Sequence, residues 1–201
     1  MQNLLGLFIC FVLVNTGTAL ECEVCIGIGT DCTGSMQTCE AGKDTCVIAV
    51  TENTMSGLPI LTVVKACESS NTCNLGPQYM HFGQRLNMRT GITCCVGDAC
   101  RTVTPQLPPV ITESNGKQCP ACYNVISGNC NQDETVDCFG PESECLDLSA
   151  TVTHGTVVVN TVQKGCVTRG VCDGLTVAES KMAGIRTLIT RAECRAATNL
   201  A

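Results

Sequence analysis

The residues with the clearest chemical potential in this sequence are its cysteines, of which there are 19 in 201 residues. Two pairs, Cys22 with Cys25 and Cys119 with Cys122, have the Cys-x2-Cys spacing of zinc ribbons and redox-active dithiols. Both chemistries need thiolates that are free of structural disulfides. So high a cysteine content in a short chain is more typical of a disulfide scaffold in an oxidising compartment. We therefore expect structural disulfides, with zinc or redox chemistry as the alternative.

The N-terminus indicates such a compartment. Residues 4–14 are almost entirely apolar, which suits the hydrophobic region of a signal peptide and is too short to span a bilayer. The small residues at 17–19 favour cleavage after Ala19, so residues 1–19 are predicted to be the signal peptide; the alternative is an uncleaved buried strand. Removal of Cys10 with this segment leaves 18 cysteines, an even number that allows nine disulfides. With neither a transmembrane helix nor a lipid-anchor signal further along, we expect a secreted, extracellular protein without a membrane anchor.

The spacing of these cysteines reveals an internal repeat. The successive gaps are 3, 7, 7, 7, 21, 6 and 21 from Cys22, and 3, 8, 8, 7, 21, 6 and 22 from Cys119. Seven matching intervals indicate two copies of one module. We call residues 20–104 module one and residues 119–201 module two; the Pro-rich linker 105–118 lies between them. We expect each module to fold independently.

The elements that position the cysteines are predicted to be β-hairpins. Runs of β-branched residues at 47–50 and 60–64 flank the turn signal Ser56-Gly57-Leu58-Pro59, and module two has a similar pattern around Gly155. The last long interval of module two is ambiguous, because residues 178–183 tolerate a helical turn whereas residues 185–189 favour a strand. The fold class is therefore all-β, small and disulfide-rich, with loops that project from a cysteine cluster.

These motifs carry a family resemblance. The opening Leu20–Cys25, the gap pattern and the ending Cys94-Cys95-x4-Cys100 resemble the three-finger domain of the Ly-6/urokinase-receptor family. The tandem arrangement, with a Pro-rich linker and Asn115-Gly116 before Cys119-Pro120, is similar to the secreted gamma-type phospholipase A2 inhibitors. Amphibian courtship-pheromone precursors of the sodefrin type are similar by the same criteria.

The resemblance implies two tandem three-finger domains and a specific disulfide pairing. The implied pairs are Cys22–Cys46, Cys25–Cys32, Cys39–Cys67, Cys73–Cys94, Cys95–Cys100, Cys119–Cys145, Cys122–Cys130, Cys138–Cys166 and Cys172–Cys194. Module two has no counterpart of the Cys95–Cys100 loop. Spacing alone leaves the pairing open, because eight cysteines allow 105 connectivities.

Composition and motifs argue against several function classes. Twelve basic against 18 acidic residues give a net charge of -6, which disfavours nucleic-acid binding. His81 and His154 stand alone near predicted turns, no serine has the context of a nucleophile, and no acid–base pair is recognisable. We therefore expect a protein that is not an enzyme and that has neither a cofactor nor a metal site.

The most distinctive charge feature is an acidic stretch in the first finger of module two. No lysine or arginine occurs from Gln118 to Gln163. The carboxylates proposed here to contact a partner are Asp133, Glu134, Asp137, Glu142 and Glu144. One interpretation is a solvated face that aids solubility; the other is a patch that steers a basic partner, for which the resemblance implies secreted phospholipase A2. The sequence thus predicts a secreted binding protein, either an inhibitor of phospholipase A2 or a pheromone-like signalling ligand, which could form homo- or hetero-oligomers.

Overall fold

The computed structural model describes residues 19–125, 130, 134–182 and 184–200. Nearly all regular structure in this part of the chain is β-strand, and nine disulfides are present. This confirms the predicted all-β, disulfide-rich class. The strands of module one are β1 (Glu21–Ile28), β2 (Ser35–Thr38), β3 (Thr45–Asn53), β4 (Ile60–Glu68), β5 (Gln78–His81) and β6 (Asn87–Cys95), with 3-10 turns at Ser70–Asn74 and Gly97–Arg101. Module two contains β7 (Ser114–Pro120), β8 (Cys122–Asn124), β9 (Thr135–Phe139), β10 (Glu144–His154), β11 (Val157–Val167), the helix α1 (Arg169–Gly174), β12 (Glu179–Met182), β13 (Ile185–Ala196) and β14 (Thr198–Asn199).

The long cysteine intervals form antiparallel hairpins. Strands β3 and β4 pair from Thr45 with Glu68 to Asn53 with Ile60, and β10 pairs with β11 from Glu144 with Val167 onwards. Their tips contain Gly57 and Gly155, whose φ angles of 87° and 59° lie in the left-handed region that favours glycine. The ambiguous interval of module two resolves as strand, because β12 pairs with β13.

The disulfides join the same nine pairs of cysteines that the resemblance implies. Their Cα–Cα separations run from 5.1 to 6.0 Å, which is normal disulfide geometry. The bridges gather at the base of each module, where Cys22, Cys46 and Cys95 pack with the apolar side chains of the first core. Disulfides thus replace much of the apolar mass that a module with so few aromatic residues lacks.

The two modules share one β-sheet. Strand β11 of module two pairs with β5 of module one, through Cys166 opposite His81 and Val167 opposite Met80. The sheet therefore runs in the order β12-β13-β10-β11-β5-β6-β3-β4-β1-β2, and β8 also pairs with β11. The smaller sheet β14-β7-β9 belongs to module two alone.

Side-chain packing and backbone contacts stabilise the junction between the two modules. Phe82 of module one is 1% exposed and packs in one cluster with Leu146, Val167 and Val171 of module two. Thr168 donates its backbone N–H to the carbonyl of Tyr79 at 3.0 Å. Gly165 permits the contact, because a Cβ at this position would collide with the carbonyl oxygen of His81 and lie 2.9 Å from the Cα of Phe82. The expected independent cores are thus joined by a third, shared one.

The linker is also more structured than its composition predicts. Leu107 packs on the core of module one, as Val103 just before the linker does, and Gly91 lets the carbonyl of Gln106 approach β6 closely. Strand β7 begins at Ser114, so the last five residues of the predicted linker 105–118 belong to module two. Asn115 and Gly116 lie within β7, where the pairing with β9 is irregular between Ser114 and Gln118.

Candidate functional site

Two of the predicted partner-binding carboxylates form an exposed acidic edge on module two. Asp137 lies on β9 opposite Gln118, and Glu134 precedes that strand, where its carbonyl accepts from the N–H of Ala121. Both residues are exposed. Within the described part of the chain, neither carboxylate has a basic group at ion-pair distance. We call Glu134 and Asp137 the acidic edge; Asp133 lies outside the described residues.

Other acidic residues of the stretch are paired with bases from β11, β13 and the helix α1. Glu144 lies 3.2 Å from Arg169, and Asp147 is paired with Lys164 at 2.9 Å and with Arg191 at 3.5 Å. The sequence interval without bases, Gln118 to Gln163, ends just before these partners. The contiguous acidic patch is therefore smaller than the sequence suggests, because β11, α1 and β13 bring cations to β10.

Glu142 is not part of the exposed acidic edge. It is 4% exposed and lies in the turn between β9 and β10, where its carboxylate accepts the backbone N–H of Phe139 at 2.8 Å. Asn115 holds this turn by donating to the carbonyls of Gly140 and Glu142. Burial raises the pKa of Glu142 to about 7, although the Phe139 N–H opposes that shift. The interpretation of Glu142 as an exposed steering charge is wrong, because the turn directs its side chain inward.

The tips of the fingers expose apolar side chains that charge and spacing did not indicate. Ile28 at the end of β1 is 85% exposed, and Leu58 at the tip of the β3–β4 hairpin is 73% exposed. In module two, Val157 and Val158 beside the β10–β11 turn are 59% and 61% exposed. Exposed apolar groups rimmed by polar residues are typical of protein interaction surfaces. The sequence did contain a signal for these exposed tips, because Leu58 lies within the predicted turn at 56–59 and Val157 follows the predicted turn at Gly155.

A cleft of about 490 Å³ lies where module one, the linker and module two meet. Its walls come from β5 and β6, from residues 110–112 and from the β9–β10 turn. Tyr79, His81 and Phe139 contribute rings, and His81 lies 4.8 Å from Phe139 between ring centroids. Burial lowers the pKa of the His81 imidazole. No sequence pattern indicated this cleft, because its residues come together only through the junction of the modules.

The cysteine sulfurs and the histidines have structural surroundings. The sulfurs of Cys22, Cys39 and Cys67 converge within 4.8 Å, but each belongs to a disulfide, so the cluster is a crowded set of bridges. His81 packs on Phe139, whereas His154 is exposed at the end of β10.

No described helix is long and apolar enough to cross a membrane.

Comparison with known proteins relates both modules to one group of proteins. A family model described as phospholipase A2 inhibitor matches residues 20–102, and one described as u-PAR/Ly-6 domain matches residues 115–197. "Phospholipase A2 inhibitor NAI" of Notechis ater is 34% identical over 86% of this chain and 86% of its own length. The chain belongs to the gamma-type phospholipase A2 inhibitor family. Its fold is accordingly that of two tandem Ly-6/urokinase-receptor domains.

Further relatives extend over much of the same length. A phospholipase A2 inhibitor gamma subunit of Gloydius brevicaudus siniticus is 37% identical over 84% of this chain and 82% of its own. The corresponding gamma subunit of Laticauda semifasciata is 32% identical over 76% of this chain and 84% of its own. The similarity therefore includes both modules and the linker between them.

Proposed function

We propose that this protein is a secreted, non-enzymatic inhibitor of secreted phospholipase A2. The observation that carries the proposal is the similarity to proteins named phospholipase A2 inhibitors, which extends over both modules at 34% and 37% identity. The disulfide scaffold supports an extracellular location, because nine bridges persist in an oxidising compartment. Residues 1–19 are the proposed signal peptide.

The protein inhibits by binding rather than by chemistry. The fingers offer large exposed apolar side chains, Ile28 and Leu58 on module one and Val157 and Val158 on module two. Such groups gain free energy when a partner covers them, at about 25 cal/mol per Å² of buried apolar surface. A finger seated over an enzyme's substrate entrance would block lipid access without any reaction in the inhibitor.

The charge of the protein supports a basic target. The net charge of the chain is -6, and within the described residues no lysine or arginine lies at ion-pair distance from the acidic edge of Glu134 and Asp137. Complementary potentials speed encounter and reject like-charged partners more than they raise final affinity. We therefore assign the acidic edge to the approach of the enzyme and the apolar tips to the final contact.

An inhibition assay tests the proposal. The purified chain is added to a panel of basic and acidic secreted phospholipases A2, and hydrolysis of a short monomeric substrate and of vesicles is followed. We expect stoichiometric inhibition of some basic enzymes with both substrates, because a partner that covers the enzyme blocks both. Inhibition confined to vesicles would instead indicate sequestration of lipid.

Matched variants locate the contact. Leu58→Ser alters the module-one tip and Val157→Ser alters the module-two tip; both side chains are mostly solvent-exposed, so neither change should affect folding. The variant that loses inhibition identifies the contacting finger. If no enzyme in a broad panel is inhibited at micromolar concentration, the inhibitor function is rejected and a signalling ligand becomes the better hypothesis. Light scattering of the purified protein tests the predicted oligomer.

A further inference from the structure

The cleft between the modules has the size and lining of a small-molecule site. Its volume of about 490 Å³ falls within the range of about 300–1,000 Å³ that is typical of ligand pockets. Met80 and Met88 of module one, Ile111 of the linker and Phe139 of module two give it apolar walls. Methionine adapts its shape to irregular apolar ligands. The three parts of the wall are fixed relative to one another by the pairing of β11 with β5.

One carboxylate in the wall lacks a counter-charge. Glu142 is 4% exposed, and the only group that bonds its carboxylate in the described structure is the N–H of Phe139. Of the two arginines that line the cleft, Arg89 is already paired with Glu52 at 2.9 Å, and Arg85 is exposed. An ionised carboxylate in such a setting is unfavourable unless a cation accompanies it.

We propose that this cleft binds an organic ammonium ion with an apolar chain, its charged head beside Glu142 and its chain against Met80, Met88 and Phe139. The rings of Tyr79, His81 and Phe139 favour the same occupant, since aromatic faces attract alkylammonium groups. An anionic head fits poorly at the Glu142 end of the cleft, because it would face a carboxylate; Arg89 is occupied by Glu52, and Arg85 lies at the exposed side. The site does not depend on which enzyme the protein inhibits.

Binding of such a cation is linked to a proton on Glu142. Its pKa of about 7 means that the side chain is mostly protonated at pH 5.5 and mostly ionised at pH 8, and an ammonium ion prefers the ionised form. Affinity therefore rises with pH up to about 7 and is then constant. The other titratable groups that line the cleft are Glu52, held ionised by Arg89, Tyr79, whose pKa is raised by burial, and His81, whose pKa burial lowers. Asp137 on β9 is close enough to His81 to oppose that lowering of its pKa. Protonation of His81 would also oppose a cation at low pH, so variants must separate the two residues.

Calorimetry of the full mature chain with three probes of equal chain length tests the proposal. The probes are octyltrimethylammonium, octanoate and octyl glucoside, each below its micelle concentration. We expect one molecule of octyltrimethylammonium per chain, bound about tenfold more tightly at pH 8 than at pH 5.5. Octanoate should bind more weakly than octyl glucoside at pH 8. Tighter binding of octanoate than of octyltrimethylammonium, or no binding of the ammonium at millimolar concentration, would overturn the assignment.

Variants assign the effect to Glu142. Glu142→Gln keeps an oxygen that accepts the Phe139 N–H, so the turn is retained while the charge is lost. It should lower ammonium affinity about tenfold at pH 8 and flatten the pH dependence. Glu144→Gln removes the same charge two residues away, next to Arg169, and should bind as the unmodified chain does. His81→Gln should keep the pH dependence. Unchanged ammonium binding in Glu142→Gln contradicts the proposal.

A blocking variant keeps the test independent of the turn. Val110 lines the cleft and is 65% exposed, so Val110→Trp can fill the opening without removing a buried group. It should abolish binding of both octyltrimethylammonium and octyl glucoside, with native disulfides intact by mass spectrometry. If both probes still bind normally to Val110→Trp, they bind elsewhere on the protein and the proposed site is wrong.

Discussion

The central hairpins of the two modules, β3–β4 and β10–β11, hold equivalent places in the cysteine pattern but differ in how they treat the face that carries Val50 in module one. In module one, Val50 and Val63 are 1% and 0% exposed, and the segment that contains Val103 and Leu107 packs on the cluster to which they belong. The position equivalent to Val50 in module two is Ser149, which is only half-buried. The same face there carries the ion pairs of Asp147 with Lys164 and Arg191.

The other face of the hairpin is buried near its base in both modules, since Val47 is 6% exposed and its equivalent Leu146 is 2% exposed. In module two it packs against Phe82 of module one. The residues that form this buried face are Leu146, Gly165 and Val167, where module one has Val47, Ala66 and Glu68. The repeated cysteines thus specify the strand arrangement, whereas the side chains between them decide which face is covered. Leu107 of the linker covers the hairpin face of module one that carries Val50. Phe82, in the connection between β5 and β6 of module one, covers the hairpin face of module two that carries Leu146.

A charge placed at equivalent positions should give the largest contrast between the modules. Val50→Asp puts a carboxylate in the core opposite Val63 and Gly91, where no cation pairs with it, and should lower the free energy of unfolding by about 5 kcal/mol. Ser149→Asp adds the same group on an open face opposite Arg191 and should change stability by less than about 1 kcal/mol. Denaturant titration under non-reducing conditions measures both. Similar losses in the two variants would show that Ser149 lies in a core as Val50 does.

Truncation of Phe82 should weaken the core that the modules share. Phe82→Ala removes a ring that is 1% exposed, and we expect a loss of about 4 kcal/mol. Amide exchange should rise on β11 of module two as well as on β5, because the ring packs with Leu146 and Val167. Phe139→Ala, at a less buried ring, is the control and should cost clearly less. If exchange rises only in module one, the modules are independent units, as the sequence alone suggested.

These two contrasts mark how far the sequence alone could predict the structure. The fold class and the repeat follow from cysteine intervals, because disulfide geometry tightly limits which strands can be neighbours. The segment that covers each hairpin face was not predictable, since Val50 and Leu146 are both apolar residues in β-type patterns. The acidic stretch was predicted correctly as Glu134 and Asp137 at the surface but wrongly at Glu142. A count of charges along the sequence cannot show that the β9–β10 turn directs Glu142 inward. It also cannot show that β11, α1 and β13 place cations next to the carboxylates of β10.

Glu142 should make the stability of the folded protein depend on pH, whereas the equivalent position in module one should not. Its pKa is near 4.5 in the unfolded chain and about 7 in the folded protein, so folding takes up a proton between these values. The folded state of the unmodified chain therefore loses stability as pH rises from about 4.5 to 7. Glu142→Gln should be more stable than the unmodified chain by about 3 kcal/mol at pH 8 and equal to it at pH 4. Thermal unfolding across this pH range measures the difference.

The equivalent position in module one provides the control for this experiment. Lys43 occupies the place of Glu142 in the cysteine pattern, and its side chain is 41% exposed beside Glu68. Lys43→Gln should alter stability by less than about 1 kcal/mol. A Glu142→Gln variant that gains nothing at pH 8 would show that the carboxylate is solvated in the folded protein.

The smallest expected effect concerns the acidic edge, which again distinguishes the modules. Glu134 and Asp137 of module two correspond to the neutral, exposed Ser35 and Thr38 of module one. Exchange of both carboxylates, Glu134→Gln with Asp137→Asn, should lower the association rate with a basic phospholipase A2 by about threefold at low salt and leave dissociation nearly unchanged. The difference should disappear as salt rises from 0.1 M to 1 M, where the Debye length falls from ~10 Å to ~3 Å.

A four-site variant provides the control. Adding Ser35→Glu and Thr38→Asp to this variant restores the net charge of the whole chain to -6 but places the two carboxylates on module one. Recovery of the rate in that four-site variant would mean that total charge steers the encounter; a rate that stays low would assign steering to the first finger of module two.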